Sequence, residues 1–218
     1  MIRYDRPFRN VATCLTATAG FVDAVGYLNL SGFFVSFMSG NSTQMAVAVS
    51  RADWRAAVLA ASLTALFLSG VTLGSLIGSV FSGHRRPAIL LFVTGLLVAA
   101  SIFGIADRQR VAIAAVTLAM GAENAVFERD GEVVGLTYMT GTLVKLGQSV
   151  AAALRGNDRW AWISYFISWG GLVCGAALGA LAYSKLGLGA LAFAALMMAI
   201  LTVIIVHLDR RELDNRLS

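Results

Sequence analysis

Two acidic residues lie inside long apolar stretches of this 218-residue sequence. Asp23 precedes the end of the first apolar stretch by about two helical turns, and Glu123 is followed directly by Asn124 in a later one. A carboxylate at membrane depth costs about 2.5–3.5 kcal/mol or more, and such residues usually face a bundle interior or a water-filled cavity. These positions predict binding of a proton, a cation or a polar ligand. A structural hydrogen bond to a neighbouring helix is the alternative.

A run of small or polar residues, Ser39 to Gln44, interrupts the next apolar stretch, and Thr140 to Thr142 form a similar interruption later in the chain. A hydroxyl residue before glycine suits a helix start, because the hydroxyl caps free N–H groups and glycine allows close backbone approach. A helix that begins within the membrane directs its partially positive end at whatever lies opposite. A kink or a tight packing contact is the alternative.

Spacing relates the acidic residues to the polar runs. In a hairpin that turns at Ser31 and Gly32, Asp23 and Gly40 both lie about 10 Å below the turn at 1.5 Å per residue. The later stretches repeat this pattern, so we expect the two polar clusters to meet at an interface, where transporters bind substrate. The candidate solute- or ion-binding residues are Asp23, Ser39, Gly40, Asn41, Glu123, Asn124, Thr140, Gly141 and Thr142.

Glu123 and Lys145 are further charges well inside apolar stretches. We expect them to form an ion pair, because unpaired charges within a bundle are expensive. A structural pair and a coupling site are equally compatible with the sequence.

If Asp23 carries a coupling proton, Asp23→Asn should abolish pH-coupled uptake and leave membrane insertion intact.

The elements that must position these residues are membrane helices. Hydrophobic residues make up 58% of the chain and charged residues 13%, against roughly 45–50% and about 25% in soluble domains. The apolar stretches lack the alternation of a membrane β-barrel, so we predict an all-α, polytopic bundle. It comprises six long helices and two short glycine-containing helices that either cross or re-enter. The predicted segments are 11–30, 33–50, 56–82, 87–106, 111–127, 133–154, 160–184 and 186–207.

An internal repeat divides the chain into two homologous halves, 1–106 and 107–218. At an offset of 101 residues, Gly20 matches Gly121, and the Met-Ser-Gly-Asn run at Met38 matches the Met-Thr-Gly-Thr run at Met139. If the short segments cross the membrane, there are eight crossings and the halves run parallel. If they re-enter, there are six crossings and the halves are inverted.

Glycine ladders and flanking charges complete the pattern. The ladders allow close helix packing, either within the chain or between copies in a homo-oligomer; they are Gly70, Gly74 and Gly78, and Gly171, Gly175 and Gly179. With a cytoplasmic N-terminus, the six-crossing alternative leaves five basic loop residues outside, namely Arg51, Arg55, Arg108, Arg110 and Lys185. The eight-crossing alternative leaves four outside, namely Arg85, Arg86, Arg129 and Lys185, so the count does not decide between the two. Clustered arginines at segment ends are typical of helix anchors on the cytoplasmic side of a membrane. They do not form the aromatic-interleaved basic stripe of a nucleic-acid site.

Several kinds of chemistry have no motif in this sequence. Cys14 and Cys174 lie inside apolar segments and indicate neither a disulfide nor a metal site. The nucleophile, zinc-protease, phosphate-loop and dinucleotide-binding patterns are missing, so we expect no enzyme, no metal and no cofactor.

The motif Gly20-Phe-Val-Asp23-Ala-Val-Gly-Tyr27-Leu, followed by Met38-Ser-Gly40-Asn41, resembles the YoaK-like family of bacterial multi-pass membrane proteins. The resemblance covers nearly the whole chain. It implies the bacterial inner membrane and about six membrane helices, and it supplies no function.

The sequence thus predicts a small inner-membrane transporter with a cytoplasmic N-terminus. It would move a small polar or anionic solute, with proton or cation coupling, through a polar site between two repeats. The alternative is a non-transporting membrane scaffold or partner subunit.

Overall fold

The computed structural model describes residues 6–129, 132–133 and 138–217, and side chains over 8–127 and 138–210. Parts of the predicted 128–132 connection and of the segment 133–154 therefore lie outside the described residues, as does Arg3 of the basic N-terminus. The helices are α1 Arg6–Asn29, α2 Met38–Ser50, α3 Trp54–Val80, α4 Arg85–Ile105, α5 Gln109–Glu123, α6 Met139–Leu154, α7 Ala161–Leu186 and α8 Leu191–Leu217. Short 3-10 turns, Ser82–His84 and Gly187–Ala190, precede α4 and α8. The predicted all-α membrane bundle is confirmed.

Four described stretches are long and apolar enough to span a membrane. They are Phe8–Asn29, Trp54–Val80, Ser82–Ile105 and Ala161–Arg210, the last of which contains both α7 and α8. The segment predicted over 111–127 ends as a helix at Glu123 and has 15 residues, about 22 Å at the usual rise. Almost every residue of α5 beyond Val111 is buried by its neighbours, so its length need not match the lipid thickness.

The described residues that follow α5, 124–129 and 132–133, are not helical, although the predicted segments reach 127 and begin again at 133. Two-residue strands, β1 Glu128–Arg129 and β2 Glu132–Val133, pair in antiparallel fashion. The sixth helix therefore begins at Met139 instead of 133.

Glycines bring two pairs of helices into backbone contact. Along α1 and α7, Gly175 packs on the carbonyl of Ala17 and Gly179 on that of Phe21, so these helices run parallel. Along α3 and α5, Gly70 packs on Leu118 and Gly74 on Ala122. Because the glycine ladders are occupied within the chain, they are not available for the predicted homo-oligomer contacts.

Contacts along α8 define the two ends of the bundle. At what we call the Phe8 end, the Arg86 guanidinium pairs with Asp209 at 2.8 Å and stacks on the Phe8 ring at 4.5 Å. At the opposite end, the Asn29 end, Asn29 donates to the Tyr183 hydroxyl at 3.3 Å. Leu188, just before α8, packs on Gly104, at the end of α4. Hence α1, α4 and α7 run from the Phe8 end to the Asn29 end, and α8 runs back.

Helices α3 and α5 also run back toward the Phe8 end. Arg85, at the start of α4, contacts both Gly78 near the end of α3 and the Ala125 carbonyl just after α5. Since α1 ends and α3 begins at the Asn29 end, the chain through α2 returns to the end it left. The chain through α6 likewise leaves and returns to the Phe8 end. This is the chain path of six crossings, with α2 and α6 re-entering from opposite ends.

The chain path predicts the sidedness of two exposed connections. Arg51 lies between α2 and α3, and Asn157 lies between α6 and α7. Single cysteines at these positions, in a chain with Cys14 and Cys174 replaced by serine, should react with an impermeant maleimide from opposite sides of the membrane. Labelling of both from the same side would contradict the six-crossing path.

Candidate functional site

The polar residues of the first cluster hold the loop between α1 and α2. One carboxylate oxygen of Asp23 accepts hydrogen bonds from the backbone N–H groups of Val35 and Ser36, each at 2.8 Å. Gly26, one turn further along α1, lets the loop approach, because a Cβ there would lie 2.7 Å from the Val35 side chain. The loop therefore runs back along α1 to the depth of Asp23.

Asn41, on α2, forms hydrogen bonds with the same loop. Its side-chain oxygen accepts from the Phe34 N–H at 2.9 Å, and its amide group donates to the Phe34 carbonyl at 2.7 Å. Asn41 is fully buried, and the nearby Gln44 donates to the Gly32 carbonyl. Buried backbone groups need such partners, so Asp23, Asn41 and Gln44 act together as positioning residues.

The short helices begin where the polar runs predict, but not through the predicted caps. Helix α2 begins at Met38 and α6 at Met139, and no side chain caps either start. The hydroxyls of Ser42 and Thr43 donate instead to carbonyls one turn back, at 2.8 and 3.1 Å. The prediction of hydroxyl capping is wrong, because aromatic residues occupy the N-cap positions.

Aromatic rings cover the glycine at each of these helix starts. Phe37 is the N-cap of α2, and a Cβ on Gly40 would lie 2.5 Å from its ring. Tyr138 is the N-cap of α6, and its ring lies in the same way against Gly141. The glycines are therefore needed for ring contact, and Ser39 and Thr140 beside them are exposed.

Glu123 and Asn124, the second acidic cluster, lie at the end of α5. Glu123 is fully buried, and neither of its carboxyl oxygens has a hydrogen-bond partner among the described residues. Asn124 donates to the Met120 carbonyl at 2.8 Å. Lys145 is exposed on α6, so the predicted Glu123–Lys145 ion pair does not form. The reason is that Glu123 faces the packed interior and Lys145 the outer surface.

The two polar clusters do not meet. Phe8 and the end of α5 lie together, because Arg86 contacts the Phe8 ring at 4.5 Å and the Phe127 ring at 6.0 Å. Asp23 lies about 22 Å further along α1. The expectation of one shared polar site is therefore corrected: the Asp23–Asn41 cluster lies toward the Asn29 end and the Glu123–Asn124 cluster toward the Phe8 end.

Sequence reasoning missed the Arg86 contacts. Arg86 connects α1, the turn after α5 and α8 through Phe8, Phe127 and Asp209. The pairing of Arg86 with Asp209 joins residues far apart in sequence, so local spacing carried no signal for it. Among the described residues, no group of three His, Cys, Asp or Glu side chains is arranged to hold a metal ion.

Comparison with known proteins agrees with this membrane fold. Residues 11–204 match the model of the family described as "Protein of unknown function (DUF1275)". The chain belongs to this family.

The chain is also similar to two proteins described as transmembrane proteins. The chain is 33% identical over 202 residues to UPF0700 transmembrane protein RA0705 of Rhizobium meliloti (strain 1021), covering 92% of this chain and 87% of the relative. It is 28% identical over 162 residues to UPF0700 transmembrane protein YoaK of Bacillus subtilis (strain 168), covering 67% and 69%. No solved structure matches. The predicted membership of a YoaK-like family of membrane proteins is confirmed.

Proposed function

We propose that this protein is a small membrane transporter for a polar or anionic solute. The observation that carries the proposal is the pair of short helices, α2 and α6, that interrupt the bundle from opposite ends and begin without a side-chain cap. Broken helices of this kind bind substrates in transporters, because their first N–H groups and positive dipole ends point at the ligand. No enzymatic activity is part of the proposal.

An inverted duplication of residues 1–106 and 107–218 supports the proposal. The offset of 101 residues relates α1 to α5 and α3 to α7, and the related helices run in opposite directions. It also relates Gly175 of α7, which packs on α1, to Gly74 of α3, which packs on α5, although the residues they contact differ by one helical turn. The pairs Phe37–Gly40 and Tyr138–Gly141 obey the same relation. Transporters commonly alternate access by rocking such repeats against one another.

Charge supports an orientation with the Phe8 end in the cytoplasm. Five basic residues, named above, lie at or beside helix ends on the Asn29 end, and ten others among the described residues lie toward the Phe8 end, with Lys145 on α6 not counted. Cytoplasmic loops are enriched in lysine and arginine. Since both named relatives come from bacteria, the inner membrane is the proposed location.

The solute would contact one set of polar groups from the Asn29 end and another set from the Phe8 end. On the Asn29 side these are the start of α2 at Ser39 and Gly40, held at depth by Asp23 and Asn41. At the Phe8 end they are the start of α6 at Thr140 to Thr142, and Asn124 after α5. A coupling proton or cation would bind at an acidic residue, Asp23 or Glu123.

Transport is tested by reconstitution into proteoliposomes. Uptake of a panel of radiolabelled small anions and neutral polar solutes should exceed that of empty vesicles for at least one compound. In Gly40→Ala the added methyl group displaces the Phe37 ring from the start of α2, so we expect at least about a tenfold loss of uptake. A tenfold change corresponds to about 1.4 kcal/mol.

Gly147→Ala is the matched control, because Gly147 lies in α6 with open space around its Cβ position. It should transport like the wild type. Uptake by no solute, together with stable folding and retention of a co-purifying membrane partner, would favour the scaffold alternative. Equal uptake by Gly40→Ala and Gly147→Ala would show that the start of α2 does not take part in transport.

A further inference from the structure

Glu123 carries a carboxyl group that packing does not require. Its side chain has no exposed surface, and no described group hydrogen-bonds to it. The position 101 residues earlier is Val22, which is likewise fully buried. An apolar side chain therefore serves at the related position of α1. The carboxyl group of Glu123 needs another explanation.

The surroundings of Glu123 oppose its ionised form. On α5, Val116 and Ala119 share its helical face, and both are essentially fully buried. Glu123 is also the last residue of α5, where the helix dipole places partial negative charge. A carboxylate in this position is neither solvated nor paired, whereas a protonated acid carries no charge. The packed conformation thus stabilises the neutral acid.

The charged groups on the helices around α5 have other partners or lie elsewhere. No Asp, Glu, Lys, Arg or His occurs in residues 56–80 of α3, 87–105 of α4 or 10–22 of α1. At the start of α4, Arg85 donates to the Ala125 carbonyl and Arg86 pairs with Asp209 on α8. Cys14 of α1 is exposed, and Asp23 is about 22 Å along α1 from the Phe8 end. The described contacts give Glu123 no counter-ion.

We propose that Glu123, and not Asp23, is the proton-binding site that couples transport to proton movement. This rests on the proposed function. The oxygen of Asp23 is held by two backbone N–H groups and serves the loop, whereas the carboxyl of Glu123 is free to change protonation. In the packed conformation Glu123 holds a proton. When conformational change hydrates the end of α5, the proton passes to water and leaves a solvated carboxylate.

The proton itself is the probe for the first experiment. Proteoliposomes adsorbed on a solid-supported membrane are subjected to pH jumps, and the displaced charge is recorded. The wild type and Asp107→Asn, a change at an exposed carboxylate between α4 and α5, should give a saturable pH-dependent displacement, and Glu123→Gln should lose at least about 90% of it. A displacement in Glu123→Gln equal to that of the wild type, or none in the wild type, would overturn the proposal.

Infrared spectra provide a second readout that needs no transport. At neutral pH the purified wild type should show the C=O band of a protonated carboxylic acid in an apolar setting, and Glu123→Gln should lack it. Absence of the band from the wild type would overturn the proposal. Glu123→Val, which copies Val22, should unfold at an unchanged or higher temperature, because it removes an unpaired buried acid. A large drop in its unfolding temperature would indicate a structural role and also count against the proposal.

The two proposals fail separately. If no solute moves but charge displacement depends on Glu123, the proton site stands and solute transport is wrong. If a solute moves with the same pH dependence in Glu123→Gln and the wild type, transport stands and the proton site is wrong.

Discussion

Gly175→Ala should strongly destabilise the bundle. A methyl group at Gly175 would overlap the backbone carbonyl of Ala17 on α1, and backbone cannot move aside as a side chain does. Helices α1 and α7 must then separate along their whole contact. Overpacking of this kind costs about 1–3 kcal/mol and occasionally more. We expect a markedly lower unfolding temperature in detergent and less monodisperse protein on size-exclusion chromatography.

Gly170→Ala is the control on the same helix. Its Cβ position has open space, and alanine favours a helix over glycine by about 1 kcal/mol. This variant should be as stable as the wild type or slightly more stable. Similar unfolding temperatures for Gly175→Ala and Gly170→Ala would show that the close approach of α1 and α7 is not required. A second pair tests the contact of α3 with α5. Gly70→Ala should disturb that contact, and Gly95→Ala is its control, because the Cβ position of Gly95 on α4 has open space.

Asp23→Ala should destabilise the loop between α1 and α2. The N–H groups of Val35 and Ser36, both buried residues, would lose their shared acceptor. An unsatisfied buried donor costs about 1–3 kcal/mol. Because this loop also fixes the start of α2, we expect faster hydrogen exchange at residues 33–37 as well as a lower unfolding temperature.

Asp23→Asn is the matched variant for this test. An amide oxygen can accept both N–H groups, and asparagine stands at the related position Asn124. It should retain most of the stability that Asp23→Ala loses, since only the charge-assisted part of the bonds disappears. If Asp23→Asn were as destabilised as Asp23→Ala, the negative charge of Asp23, and not its oxygen geometry, would hold the loop.

The residues singled out from the sequence contribute to the structure, but in roles that differ from the binding roles predicted for them. The sequence analysis placed Asp23 and Gly40, the neighbour of Asn41, at the same depth below the turn, because helical rise fixes depth along a hairpin. The interaction of Asp23 and Asn41 through the loop backbone was not predicted, because it depends on the chain folding back between them. The isolation of Glu123 was missed, because a partner for a buried charge was assumed and the exposure of Lys145 depends on how α6 packs.

The sequence by itself determined the environment, the family and the approximate positions of the helices, although not the end of α5 or the start of α6. Long uncharged stretches dictate membrane helices whatever they pack against, since the backbone must satisfy its own hydrogen bonds in lipid. Only the tertiary structure decided the direction of each helix and the pairing of the glycine ladders within the chain. Those depend on contacts such as Arg86 with Asp209, between residues more than a hundred positions apart. Periodicity and composition describe neighbours along the chain, whereas such contacts follow from which faces meet in space.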